Sequence, residues 1–86
     1  MSYQDARPIN LDALNLVANT LNGLAVSAQV QGNISEREMK KMSDDIPQLF
    51  NIRDRGSLVV YLKNYAKRHP ISFSACELMI HQIINS

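Results

Sequence analysis

The sequence has little of what marks a secreted or a membrane protein. It contains one cysteine, which cannot form an internal disulfide, and residues 1–10 carry no apolar run of the kind found in a secretory signal. No segment approaches the roughly 20 consecutive apolar residues that cross a bilayer. These absences predict a cytoplasmic protein with no membrane contact.

Catalytic motifs are also missing. The three glycines are far apart, which excludes a glycine-rich phosphate or dinucleotide loop, and no metalloprotease or serine-hydrolase motif occurs. Cys76 lies among apolar residues, which favours a buried core cysteine over a nucleophile. Glu77 and His81 are four residues apart, but two ligands do not complete a metal site. The sequence therefore predicts no enzyme activity, no metal and no cofactor.

The chain of 86 residues, with 45% hydrophobic and 20% charged residues, has the composition of one small folded domain. A chain this short buries only about 60% of the surface that its unfolded form exposes, so some apolar side chains remain without cover. Oligomerisation or a protein partner would supply that cover. Residues 1–9 are predicted to form a flexible N-terminal tail, and residues 10–86 a single helical domain.

A first helix is predicted from apolar residues that recur at spacings of three and four after Asn10 or Asp12, either of which can cap it. Gly32 suits a helix end that needs a positive φ. Val26–Gln31 also alternates apolar and polar residues, so residues 24–31 are open to a strand interpretation as well. Helix is favoured because no second strand is available for pairing. The helical stripe comprises Leu14, Val17, Leu21, Leu24 and Ala28.

Three further helices follow from capping signals. Ser35 and Glu38 form a capping box, and Pro47 ends or kinks the second helix. Asp54 or Ser57 can cap a third helix that ends near Arg68. A fourth helix is predicted from a second capping box, Ser74 with Glu77, and runs to the last residues. The predicted fold class is all-α, a compact bundle of about four short helices in a single domain.

The surface for a partner is predicted from the fourth helix, which is unusually apolar, and from residues 13–35, which carry no charge. Apolar side chains at the end of a helix need cover, and the cores of protein interfaces are depleted in charge. The sequence predicts a homodimer, or contact with a protein of unknown identity. The predicted interface residues are Leu24, Ala28, Met79, Ile80, Ile83 and Ile84.

Basic residues are concentrated in residues 53–69. A charged segment of this kind usually faces solvent, but it could hold phosphate or an acidic partner. The offsets of Ala66, Ile71, Ser72 and Cys76 are reminiscent of a helix-turn-helix. Pro70 replaces the usual turn glycine of that motif, and the following helix has no Arg or Lys. The basic residues predicted to contact phosphate or an acidic partner are Arg53, Arg55, Lys63, Lys67 and Arg68.

Two functions follow from these observations. The favoured hypothesis is a small non-catalytic regulatory or inhibitory protein that acts by protein–protein contact as a homodimer. The alternative is a helix-turn-helix-like transcriptional regulator that binds DNA through the basic segment. The two hypotheses differ in a measurable way, because phosphate contacts make binding strongly dependent on salt.

Overall fold

The computed structural model describes residues 5–85, which form four α-helices and two short 3₁₀ helices. No strand occurs in this part of the chain, so the prediction of an all-α fold with about four helices is confirmed, and the strand interpretation of residues 24–31 is wrong. Pro47–Asn51 and Pro70–Ser72 are the 3₁₀ helices. The α-helices are α1 (Leu11–Val30), α2 (Glu36–Asp44), α3 (Arg55–Arg68) and α4 (Phe73–Asn85).

Local hydrogen bonds explain why the first two helices begin and end where they do. The Asn10 side chain accepts from the Ala13 amide at 2.8 Å, and both halves of the predicted Ser35–Glu38 capping box are present. Gly32, with φ +79°, ends α1 as predicted. The polar groups at these ends are therefore satisfied without tertiary partners.

The helices pack in two neighbouring pairs, α1 with α2 and α3 with α4. Their apolar faces meet in one core, in which Leu21, Leu49, Leu62 and Tyr65 are fully buried. The 3₁₀ helix after α2 places Leu49 against α1. The two flanks of α4 are less completely covered, and Phe73 and Leu78 are exposed there.

The beginning of α4 differs from the prediction. The helix begins at Phe73, directly after a 3₁₀ turn, so Ser74 lies inside the first turn and not before it. Ser72, which is fully buried, donates instead to the His69 carbonyl at 2.7 Å. The turn imposed by Pro70 brings the chain into helical geometry earlier than the Ser–Glu spacing suggests.

The described part of the N-terminal segment, residues 5–9, which was predicted to belong to a flexible tail, makes backbone hydrogen bonds to the start of α3. Residues 5–9 run antiparallel to residues 53–56, and the Ile9 amide donates to the Arg53 carbonyl at 3.1 Å. The amides of Arg55 and Gly56 donate to the carbonyls of Arg7 and Asp5 at 2.9 and 2.7 Å. These bonds involve amides at the start of α3, which have no partner inside their own helix. Residues 1–4 lie outside the described part.

Candidate functional site

The three arginines of the predicted basic cluster are engaged within the protein. Arg53 Nη1 donates to the carbonyls of Phe50 and Ile52 at 2.9 and 3.2 Å. Arg68 Nε lies 3.2 Å from Asp45 Oδ2. Their guanidinium groups stabilise the turns around them, so the basic segment does not present a continuous row of five cations.

Arg55 has a more specific structural role. Its Nη1 donates to the Ile83 carbonyl at 3.1 Å, and Arg7 Nη2 donates to the next carbonyl, of Ile84, at 3.3 Å. The last carbonyls of a helix lack intrahelical partners and lie at the negative end of its dipole. Two cations therefore stabilise the last turn of α4, and Arg55, which was predicted to contact a phosphate or an acidic partner, is already engaged within the chain.

Lys63 and Lys67 are the two members of the cluster that project from the surface. They are one helical turn apart on α3, both are exposed, and no ion pair holds either ammonium group within residues 5–85. Their spacing places them along the same edge of the helix. They remain available to an external anionic group.

The six predicted interface residues do not form one surface. Ala28 on α1 is buried within the single chain, and Met79 and Ile83 are buried on the side of α4, which packs against α3. Leu24 is half-buried on α1. Of the predicted interface residues on α4, two are accessible to a partner: Ile80, which is half-buried, and Ile84, which is more exposed.

A first apolar cleft lies between α1 and α4 and has a volume of about 530 Å³. Leu16 and Leu78 lie at its edges with 67% and 62% of their surface exposed. Met79 and Ile83 belong to its floor. Arg55 is its one ionisable residue among the described residues that line it, and that guanidinium donates to a backbone carbonyl. We call this feature the α1/α4 cleft; its other lining residues are Pro8, Ile9, Asn10, Ala13, Val17, Thr20, Leu58, Ala75 and Gln82.

A second cleft, of about 650 Å³, lies on the opposite flank of α4, against α3. Phe73 and Val60 line it with 56% and 39% of their surface exposed, together with Ile80. Unlike the first cleft, it has charged edges. We call this feature the α3/α4 cleft; its other lining residues are Lys63, Asn64, Ala66, Lys67, Pro70, Cys76, Glu77 and His81.

A polar cluster joins the end of α2 to the end of α3. Asp45 Oδ2 accepts from His69 Nε2 at 2.6 Å and from Arg68 Nε at 3.2 Å. Partial burial opposes ionisation of this carboxyl, but the hydrogen bonds from His69 and Arg68 outweigh it and hold the pKa of Asp45 below its ordinary value of 3.8. The carboxylate thus stays ionised and holds two helix ends together.

Two tyrosines of α3 complete this junction. Tyr61 Oη donates to the Asp45 carbonyl at 2.6 Å, and Tyr65 Oη donates to the Met42 carbonyl at 2.9 Å. Burial raises the pKa of Tyr61 to about 12 and also raises the pKa of Tyr65. Because both phenols stay protonated, they remain donors to the last carbonyls of α2. The cluster of His, Asp and Tyr side chains is therefore explained by its structural role.

The remaining candidate groups do not assemble into a reactive site. Cys76 is buried, as predicted, and burial raises the pKa of its thiol, which disfavours the nucleophilic thiolate. Glu77 and His81 are exposed on α4. Across residues 5–85 no group of three or more His, Cys, Asp or Glu side chains is arranged to hold a metal ion.

None of the helices described between residues 5 and 85 has the length and apolar character required to span a bilayer. The chain was compared with protein-family models, with curated proteins and with solved structures, and none of the three comparisons found a match. The chemistry of the two clefts is therefore the main indication of function that the chain offers.

Sequence reasoning missed the side chains that define these clefts. Leu16 and Leu78 fall outside the apolar stripes of their helices, and this displacement is the signal that marks them as exposed. Phe73, at the start of α4, is likewise largely exposed. Apolar residues that depart from the helical period were therefore more informative about the surface than the residues that follow it.

Proposed function

We propose that the protein is a small non-catalytic regulatory or inhibitory protein that acts by protein–protein contact and forms a homodimer. The observation that carries the proposal is the pair of apolar clefts on the two flanks of α4, with exposed Leu16, Leu78 and Phe73 at their edges. Exposed apolar side chains grouped around a concave surface are typical of sites that bind other proteins.

The homodimer is assigned to the α1/α4 cleft. A two-fold dimer brings the same patch of both copies together, so any charge in the patch faces its own copy. This cleft carries no charge apart from the engaged Arg55, and the outer face of α1 beside it is uncharged from Ala13 onward, including Thr20 and Ser27, with Asp12 in the first turn as its one acidic residue. Leu16 and Leu78 project beside the α1/α4 cleft of their own chain. In a two-fold dimer, the two leucines of each copy can fill the α1/α4 cleft of the other copy.

The substitutions Leu16→Asp and Leu78→Asp, made together, are expected to abolish self-association. Both side chains are exposed, so the fold tolerates the change, whereas two buried carboxylates per copy in the interface would strongly oppose contact. Sedimentation velocity of the wild type between about 5 and 500 µM should show a concentration-dependent shift from monomer to dimer, since affinities of weak specific contacts fall in this range.

The matched control is Val26→Asp. Val26 is exposed on the same helix but does not line the cleft, so this variant should dimerise like the wild type. Far-UV circular dichroism of all three proteins checks that the helices are retained. A wild type that stays monomeric over the whole range, or a Val26→Asp variant that dissociates as fully as the cleft variant, would contradict the assigned interface.

DNA binding remains the second candidate function, favoured by the exposed Lys63 and Lys67. Two features weaken it. The arginines of the cluster contact carbonyls or Asp45 within the chain, and α4, which occupies the place of a recognition helix, has no Arg or Lys. Base-edge readout in the major groove commonly relies on such side chains.

We expect no binding to a generic duplex tighter than about 100 µM at near-physiological salt, because two lysines release few counterions. Fluorescence anisotropy of a labelled duplex at low and near-physiological salt measures this. Micromolar binding that weakens steeply with salt and is lost in Lys63→Ala/Lys67→Ala would instead favour the DNA-binding function. Arg55→Ala is not suitable for this test, because it also removes a contact to the end of α4.

A further inference from the structure

The α3/α4 cleft has a different chemistry from the α1/α4 cleft. Its apolar part is formed by Val60 on α3 and by Phe73 and Ile80 on α4, and Phe73 has more than half of its surface exposed. Phe73 and Ile80 are seven residues apart and therefore lie on one face of α4. An elongated apolar strip between two helices matches the apolar face of a third helix.

The α3 edge of this cleft is positively charged. Lys63 and Lys67 line it, are spaced by one turn and are held by no ion pair within residues 5–85. Other cations of the basic segment, such as Arg55 and Arg68, have intramolecular partners that explain their positions. The two lysines have no such explanation, and they flank an exposed apolar strip.

The α4 edge of the cleft is not positively charged like the α3 edge, because its ionisable residues are Glu77 and His81. Carboxylates on a bound helix would be attracted to the Lys63 and Lys67 edge and repelled by Glu77. The cleft therefore distinguishes the two sides of a bound helix as well as its overall charge.

We propose that the α3/α4 cleft binds an amphipathic helical segment of a partner protein that carries acidic residues along one edge only. Its apolar face covers Val60, Phe73 and Ile80, and its acidic edge lies against Lys63 and Lys67. A nucleic-acid duplex presents phosphates but no apolar face to cover Phe73, so a protein helix matches more of the site. This inference rests on the proposed function in protein–protein contact.

A displayed library of amphipathic helices tests the proposal directly. The helices have about four turns, a fixed apolar seam, and positions on both edges that vary among Glu, Gln and Lys. Selection on the wild-type protein should enrich Glu on one edge and not on the other. Selection on Lys63→Glu/Lys67→Glu should enrich Lys on that same edge. Individual acidic binders should lose about three- to tenfold in affinity for the charge-reversed protein, as expected for two partly exposed ion pairs.

The matched control is Arg37→Glu/Lys41→Glu, which reverses two exposed charges at the same spacing on α2, outside the cleft. It should select the same acidic binders as the wild type. Phe73→Asp should lose them; this substitution is tolerated by the fold because Asp is favourable at a helix N-terminus. Circular dichroism verifies each variant.

The outcomes separate this inference from the function on which it rests. If the selected helices no longer bind Phe73→Asp but show no enrichment of Glu on one edge, the α3/α4 cleft is a protein-binding site but the proposal of an acidic partner is overturned. Binders that persist equally in Phe73→Asp, or a library from which no helix is enriched, would overturn the cleft as a docking site. Self-association through the α1/α4 cleft is measured separately and is unaffected by either result.

Discussion

Replacing Leu21 by alanine is expected to lower the free energy of unfolding by about 2 to 5 kcal/mol. Leu21 lies in the middle of α1, has no exposed surface, and belongs to the core that all four helices share. The substitution removes apolar contacts and leaves a cavity that a helix held at both ends cannot close by moving. Chemical denaturation at constant pH measures the loss, which is a large part of the stability of a domain this small.

Leu16→Ala provides the control on the same helix. Leu16 is 67% exposed, so its truncation should change the free energy of unfolding by less than about 0.5 kcal/mol. The same variant should weaken self-association, because Leu16 lies at the edge of the α1/α4 cleft. Equal losses of stability for Leu16→Ala and Leu21→Ala would contradict the assignment of one leucine to the surface and the other to the core.

Asp45→Asn is expected to cost about 1 to 2 kcal/mol at neutral pH, because the carboxylate accepts hydrogen bonds from both His69 and Arg68. The asparagine amide retains one acceptor but loses the charge that strengthens both bonds. Asp44→Asn is the matched control, since Asp44 is exposed and its ion pair with Lys40 is long, at 3.8 Å. We expect that control to change stability by less than about 0.5 kcal/mol.

The Asp45 contribution should depend on pH in a defined direction. The pKa of this carboxyl is lower in the folded protein than its ordinary value of 3.8, so the folded state binds the proton less readily than the unfolded state. The stabilisation is complete above the ordinary value and is lost as the pH falls through the lower, folded pKa. The stability difference between wild type and Asp45→Asn should therefore shrink between about pH 5 and pH 2. A difference that stays constant over this range would refute the role of the ionised carboxylate.

The helices could be predicted because their ends are determined locally. The Ser35–Glu38 capping box, the Asp54 cap and the positive φ of Gly32 each involve residues close in sequence, and each is present in the structure. The prediction of a second capping box, Ser74 with Glu77, was wrong because a neighbouring local signal is stronger. Pro70 starts a 3₁₀ turn that leads directly into α4, and this turn outweighs the Ser74 signal.

The sites could be predicted less well because they depend on tertiary contacts. The apolar residues of α4 follow a single arc in the sequence, and periodicity cannot tell which of them face α3 within the same chain. Met79 and Ile83 face inward, and Ile84 does not. Similarly, Arg55 donates to a carbonyl that is 28 residues away in sequence, and no local pattern reveals this contact. Of the five basic residues predicted to bind an external anion, only Lys63 and Lys67 are therefore held by no partner within residues 5–85.

The hydrogen bond between Arg7 and the Ile84 carbonyl spans 77 residues of sequence, nearly the whole chain. The entropy lost on closing a loop grows with its length, so such a contact gains little until the segments on both sides are already positioned. The neighbouring pairs α1 with α2 and α3 with α4 require only short loops, and they are expected to form first. The bond at the end of α4 then acts late in folding, and it links the folding of the N-terminal segment to the arrival of the last helix.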